Sequence, residues 1–352
     1  MRIRWKRQAS YSLHDDSPMT GGVLVRGDGV AAVCCVRSLA GRDLPLHLER
    51  TARPKLAALL LSESTQSLLT DLFADTDLFS GFPRIRKRVV AWGPGAEPLV
   101  LPHSALVIPE KDLIERLWNR VPNPNEGVPD VGGWEIVSSR MESPAVEEKH
   151  FGTRSALVAE VQLKASADRE SCWAESLEDG WLFLFPLRAN SACLIAVREH
   201  EDSLLGQSRL IATQIETSAP AAKKVAASPR ILSPLCGDGW LACGTAAMAF
   251  DPICGEGAAH AVREAILASA VVRAAIRGGD RKSLLAHYNS RLMLGFLRHL
   301  QICQSFYASG GAGPFWSGER ELLNQGINWL QQQVQTQGAS GFRLVGFELL
   351  PV

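Results

Sequence analysis

Two glycine-bearing segments far apart in the chain have residue types and spacing suited to a phosphorylated cofactor. They are Gly27-Asp28-Gly29-Val30-Ala31-Ala32 and Asp251-Pro252-Ile253-Cys254-Gly255-Glu256-Gly257. In the first, Gly27 permits a tight turn, Gly29 lets the backbone approach a pyrophosphate, and the small Ala32 lets a helix pack closely on a strand. A helix opening there offers free amides and the positive end of its dipole to phosphate. Glu49 lies 22 residues after Gly27, and an acidic residue about 20 residues on is where a ribose hydroxyl is held. Arg50 follows it. In the second segment Gly255 and Gly257 precede an alanine-rich stretch, so the amides of a second helix N-terminus point at one place and can stabilise negative charge there. Each segment alone also fits an ordinary glycine corner; the pair, with Glu49, describes the two ends of a dinucleotide site.

These residues must be positioned by particular elements. Val23-Leu24-Val25 is a short apolar run before Gly27, and a helix-like stretch continues to Leu39, the strand, turn and helix that the fingerprint requires. Leu44 to Leu48 is a second strand ending in Glu49. A helix is expected over Leu56–Phe73, with Ser62-Glu63-Ser64 inside it or at its start. Ile85–Trp92 alternates as a strand, and a short hairpin runs to Ile108. Glu110–Trp118 is a helix bounded by Pro109 and Pro122, and Pro122–Gly133 is a loop. The middle of the chain is strand-rich: Ser155–Leu163, Trp181–Leu187 and Ala192–Val197 read as an antiparallel sheet. Trp181, Phe183 and Phe185 share one face of it, either as core packing or as an aromatic wall of a substrate pocket. Trp240 to Gly244 returns as a strand, and Ala258–Ile276 is a helix. Leu284, Tyr288, Leu292, Phe296, Leu300 and Cys303 recur at helical steps within a long helix from Lys282 to Gly310, and Leu322–Gln335 adds another.

Length and composition set the frame. The chain has 352 residues, room for about two domains. Its 37 basic and 37 acidic residues cancel, so no global field favours nucleic acid or an anionic membrane. No apolar stretch reaches the length of a spanning helix and no signal-peptide pattern opens the chain; cytoplasmic residence is expected. Residues 1–20 read as a disordered extension. Eight cysteines form no C-x-x-C pair and eight histidines no H-x-x-x-H or H-E-x-x-H spacing, so reduced buried thiols and no metal are expected.

In this order, G-x-G-x-x-A with Glu49, Ser62-Glu63-Ser64, Trp92-Gly93, Gly180-Trp181 to Pro186-Leu187, Gly239-Trp240-Leu241 and Asp251-Pro252-x-x-Gly255-x-Gly257, followed by Tyr307 and Phe315-Trp316, resemble the FAD-dependent monooxygenases of the p-hydroxybenzoate hydroxylase type. Within them, the chain is similar to the branch of flavin-dependent halogenases and of flavoproteins that hydroxylate a peptidyl tryptophan while maturing quinone-cofactor amine oxidases. The resemblance spans residues 20 to 320. It implies an α/β fold, with a Rossmann-like FAD-binding domain (21–60, 95–135 and 225–280), an antiparallel-sheet substrate domain (61–94 and 136–224) and a C-terminal helical region (281–352). It implies that FAD is held by Gly27, Gly29, Ala32, Glu49, Arg50, Thr245, Asp251, Pro252, Gly255 and Gly257. It places Glu63 and Ser64 near the flavin edge, with Glu63 the candidate acid or base, and Trp181, Phe183 and Phe185 at a substrate pocket. The implied reaction is a flavin-dependent oxidation of an aromatic small molecule or polypeptide, with electrons from NAD(P)H or a flavin reductase.

The departures from that pattern are specific. Gly244-Thr245 stands where the family has Gly-Asp. Trp181-Leu182-Phe183-Leu184-Phe185-Pro186 keeps only the first Trp and the Pro of the halogenase W-x-W-x-I-P signature, and Arg84, Arg86, Lys87 and Arg88 supply no clear counterpart of the halogenase lysine. Halogenation is therefore disfavoured. The stretch from Trp118 to Phe151 is short for the family. A flavin-dependent halogenase and a degenerate flavin fold kept for binding alone are the two alternatives.

Overall fold

The computed structural model describes residues 22–41, 44–51, 53, 55–122, 124–126, 133–140, 146–188, 190–198, 204–217, 222–336 and 341–352. The extension over residues 1–20 lies outside them. Val23–Arg26 forms the centre of a six-stranded sheet, flanked in parallel by Leu46–Glu49 and Trp134–Val137. Val23 and Val25 are fully buried, as expected of a strand covered on both faces. The chain then turns at Gly27 and enters helix α1, Val30–Leu39, nearly all of which is buried.

A second, nine-stranded sheet is mostly antiparallel. Ser155–Leu163, Ser191–Arg198, Gly180–Pro186 and Ser171–Leu177 pair in that order, followed by Arg84–Ala91, Leu99–Ile108 and Leu59–Ser62. Two sequence expectations need correction here. Leu99–Ile108, expected in the nucleotide domain, pairs on both sides within this larger sheet, because its buried residues from Ala105 to Ile108 face partners in Leu59–Ser62. The same pairing delays the helix expected from Leu56. Leu59–Ser62 is extended, and helix α2, Glu63–Phe73, begins only after Ser62 has capped it by accepting from the Thr65 amide. Within the expected loop over 122–133, Asn125–Glu126 pairs with the strand ending in Glu49.

Helix α3, Glu110–Trp118, falls where the prolines predicted it. A four-residue helix, α4, spans Gly244–Ala247. Helix α5, Gly257–Ile276, is rich in alanine, and this narrow surface lets it lie along α1, where Cys35 Sγ meets the Ala265 carbonyl. Helix α6, Arg281–Gly310, starts at Asp280, whose carboxylate accepts from the Ser283 amide. Helix α7, Pro314–Gln335, starts earlier than its apolar periodicity suggests because Pro314 occupies its first turn. A terminal hairpin, Phe342–Val345 with Glu348–Pro351, had no clear sequence signal.

The larger sheet, the loop before α5 and the C-terminal helices meet at a fully buried cation. Arg154 Nε and Nη2 donate to Asp251 Oδ2 at 2.8 and 2.5 Å, and Arg154 also pairs with Glu319 on α7. Its guanidinium lies 4.6 Å from the Tyr307 ring, and Tyr307 takes a hydrogen bond from the Trp181 indole. Removing the cation leaves two carboxylates buried together. Arg154→Ala should therefore cost roughly 3–5 kcal/mol in urea unfolding; a loss below about 1 kcal/mol would show that the cluster is not a structural centre.

Candidate functional site

Only glycine fits at position 27. Its φ is +135°, and a Cβ there would run into Ser138 Oγ. Gly29 has an ordinary extended backbone and caps α1 without any side-chain bond, so the first amides of the helix have no side-chain cap. Ala32 is fully buried. Around this turn stand two cations that sequence reasoning missed. Lys55 Nζ lies 2.6 Å from Asp28 Oδ2. Arg53 pairs with Glu110 at the start of α3, and its Nη2 lies 3.0 Å from where a Gly29 side chain would begin. No local motif marks either residue; the fold brings them from the segment after the second strand.

Glu49 and Arg50 sit at the strand end beside this turn. Glu49 Oε2 is 2.8 Å from Arg26, its register partner on the neighbouring strand, and Arg26 also holds Glu135 at 2.5 Å. Burial pushes the Glu135 carboxyl up, and Arg26 opposes that shift. Arg50 stacks 4.2 Å from the Trp118 ring, and the Trp118 indole donates to the Asp28 carbonyl.

The second segment divides its labour. Asp251 is buried, with Oδ2 taken by Arg154 and Oδ1 accepting from the Ile253 amide. It therefore fixes the loop from beneath, and Pro252 opens the 3-10 turn Pro252–Cys254. Gly255 has φ +66°, and a Cβ on Gly255 or Gly257 would meet nothing within 4 Å. The N-terminus of α5 has no side-chain cap. The backbone at Gly255 and Gly257 thus faces open space, with the exposed Glu256 between them.

Between the two ends lies the Gly-Thr departure. Thr245 is exposed, its hydroxyl donates to the Ser138 carbonyl, and its own carbonyl accepts from buried Arg230. Burial lowers Arg230 to about 10, and Glu148, 3.1 Å away, opposes that. Glu264 on α5 reaches under the turn: Oε2 accepts from the Gly244 amide at 2.7 Å, while Oε1 has no hydrogen-bond partner. Burial raises this carboxyl to about 8.

The expected aromatic wall is largely internal. Trp181 and Phe185 are buried, and Trp181 packs on Trp92 with centroids 6.4 Å apart. Phe183 is half-buried, 5.6 Å from Phe185 and 5.8 Å from the Arg88 guanidinium. Arg88 also borders a cleft of about 740 Å³ with Cys254, His260, Arg263, Arg291 and Phe306. Lys87 instead pairs with Asp168 at the surface. Glu63 and Ser64 are exposed at the start of α2, and Glu63 accepts from Ser104 Oγ at 2.6 Å. Beneath the second glycine loop, Cys254, His299 and Cys303 converge. Hydrogen bonds from Cys303 and His299 pull the Cys254 thiol down to about 6 against burial.

The sequence matches no protein-family model and no curated protein. The fold does match solved structures. The peptidyl tryptophan dihydroxylase QhpG, essential for tryptophylquinone cofactor biogenesis, superposes with a TM-score of 0.71 at 19% identity, over 85% of this chain and 78% of that one. CmlS, a flavin-dependent halogenase, gives 0.73 at 17%, over 90% and 72%. The myxobacterial chondrochloren halogenase CndH, an FAD-dependent halogenase variant, gives 0.72 at 16%, over 90% of both chains. The chain therefore has the fold of the flavin-dependent monooxygenases and halogenases, the mixed α/β architecture expected from its motifs. Among the described residues no helix is long and apolar enough to cross a membrane.

The buried Glu264 makes a pH prediction. Its folded pKa lies above the unfolded value of 4.5, so the native state retains a proton that the unfolded chain loses, and stability falls as pH rises from the unfolded pKa through about 8. Glu264→Gln should flatten the pH dependence of thermal unfolding in that window and gain on the order of 3 kcal/mol at its upper end. Parallel profiles for the two proteins would remove the assignment.

Proposed function

We propose that the chain is an FAD-dependent monooxygenase that hydroxylates an electron-rich aromatic ring, with a tryptophan side chain in a polypeptide as the favoured substrate. The observation that carries this reading is the pair of glycine-opened helix N-termini on packed helices: Gly27–Gly29 leading into α1 and Gly255–Gly257 leading into α5. The residues present fit FAD. The α1 amides with Arg53 and Lys55 would hold the pyrophosphate, Glu49 the adenosine ribose, and the bare Gly255–Gly257 backbone the isoalloxazine. Thr245, with Arg230 behind its carbonyl, would occupy the middle of the site. The likeness to QhpG supports a peptidyl substrate.

The chemistry that FAD supplies when bound and reduced is activation of dioxygen: one oxygen atom enters the ring and the other leaves as water, at the cost of two electrons and two protons. NAD(P)H or a flavin reductase supplies the electrons. The chain's own part is positioning and charge. The α5 N-terminus favours negative charge beside Gly255 and Gly257. The resemblance makes Glu63, whose carboxylate accepts from Ser104 Oγ and which has Ser64 beside it, the candidate to move a proton. Cytoplasmic residence fits the eight cysteines, all free. Halogenation is the second reading, favoured by the likeness to CmlS and CndH; against it stands Lys87, which pairs with Asp168 at the surface.

Gly29 is the position to test, because its backbone suits any residue and the nearest obstacle is the movable Arg53 side chain. The parent protein should take up added FAD with quenching of flavin fluorescence, and Gly29→Val should fold yet lose at least ~10-fold in affinity. Equal binding by both would sink the cofactor assignment. With reduced flavin and dioxygen, a tryptophan-containing peptide should gain the mass of oxygen. A chloride-dependent product instead would move the assignment to halogenation, and full FAD binding with no oxidation of any aromatic probe would leave a binding protein.

A further inference from the structure

Cys254 sits in the turn after Pro252, while His299 and Cys303 are one helical turn apart on α6. The fold brings their ligand atoms within 4.8 Å of one another. Cys254 Sγ lies 3.8 Å from Cys303 Sγ, and Cys303 Sγ lies 3.3 Å from His299 Nε2. A tetrahedral zinc ion at ordinary Zn–S and Zn–N distances sets an S···S edge of ~3.8 Å and an S···N edge of ~3.6 Å. Two edges of the ligand triangle thus already lie within about 0.3 Å of those of such a site, and the three ligand atoms all lie within 4.8 Å of one another.

We propose that Cys254, His299 and Cys303 bind a thiophilic divalent cation, zinc being the best fit, with a fourth coordination position directed to the cleft. Two thiolates balance the dication, which a buried site requires. Soft sulfur with imidazole selects zinc over calcium or magnesium. Cys254 and His299 both line the 740 Å³ cleft, whereas Cys303 lies behind them. Three protein ligands with one position facing a cavity is the pattern of an open rather than a purely structural zinc site. His299 is already set for the task. Its Nε2 accepts from the Asp251 amide at 2.9 Å, so that nitrogen is unprotonated and carries its lone pair inward. Phe250 and Phe296 pack against the ring at centroid distances of 4.9 and 6.1 Å and limit its rotation.

Capture of the cation replaces the Asp251 N–H as the partner of Nε2. Metal uptake is thereby linked to the loop that carries Gly255 and Gly257, and the ligand arriving at the fourth position would be water or an anion entering through the cleft. This set escapes a search for H-x-x-x-H or C-x-x-C because the local pair is mixed, His299-x-x-x-Cys303, and the third ligand is 49 residues from Cys303.

The test uses the full chain, reduced with a phosphine, stripped with a chelator and titrated with Co²⁺. The long-wavelength bands of four-coordinate cobalt lie beyond the absorption of oxidised flavin, so the readout is independent of whether FAD is bound. Uptake of a single equivalent with those bands, bleached by Zn²⁺, is expected. Cys254→Ser and Cys303→Ser should each weaken uptake by at least ~10–100-fold, while Cys236→Ser, a half-buried thiol outside the cluster, should leave it unchanged. Since Cys303 is buried, Cys254→Ser also provides a stability reading: Zn²⁺ should raise the thermal midpoint of the parent and not of this variant. Absence of the tetrahedral bands, or the same bands in Cys254→Ser, would overturn the site.

Discussion

The arrangement of this molecule turns on the buried charge of Arg154. Burial works against the cation, and Asp251, Tyr307 and Glu319 together outweigh it, so the guanidinium is held charged in the interior. Such a group persists only where its partners are fixed in excellent geometry. Here the partners come from three places: the turn before α5, the end of α6 and the first half of α7. Arg154 itself opens the strand Ser155–Leu163 of the large sheet. One cation thereby ties the sheet that carries Trp181 to the glycine loop that faces open space. Both carboxylate oxygens of Asp251 are engaged inside the protein, by Arg154 and by the Ile253 amide, so Asp251 acts as the anchor of the loop.

The first glycine turn follows a different electrostatic plan. Arg26, Arg53 and Lys55 are each paired with a carboxylate, from Glu49 and Glu135, Glu110 and Asp28 respectively. The pairs hold these cations in place around the α1 N-terminus. A similar pairing holds at Thr245, whose carbonyl accepts from Arg230, which is matched by Glu148. Gly244-Thr245, where the aspartate of the resembled pattern is absent, is polar all the same: the Thr245 hydroxyl donates to the Ser138 carbonyl and its carbonyl accepts from the buried Arg230. Glu264, protonated near neutrality by burial, adds a group below Gly244 whose charge depends on pH.

Much of this was legible from residues alone where the signal is local. Gly27 must be glycine because of its positive φ and its contact with Ser138, and the spacing to Glu49 follows from the parallel pairing of adjacent strand ends, Arg26 against Glu49. The bounds of α3 followed from Pro109 and Pro122, and those of α6 from a long helical period. Where expectation failed, pairing with distant chain had won. Leu59–Ser62 left the helix predicted over it for a place beside Ala105–Ile108. Trp181, which shares a strand face with Phe183, was drawn into the aromatic cluster of Trp92 and Tyr307, while Phe183 remained half-buried under Arg88.

The sequence by itself determined the longer helices, the first strand, the two glycine turns and the family resemblance, because turn conformation, strand alternation and helical period depend on neighbours a few residues apart. Only the tertiary structure decided which charged and sulfur-bearing side chains meet. Arg154 with Asp251 and Glu319, Arg53 with Glu110, and Cys254 with His299 and Cys303 are separated by 49 to 165 residues in at least one pairing of each set. Their encounters are set by how α5, α6 and α7 cross over the two sheets. Packing of complementary surfaces fixes those crossings, and no short spacing in the chain encodes them.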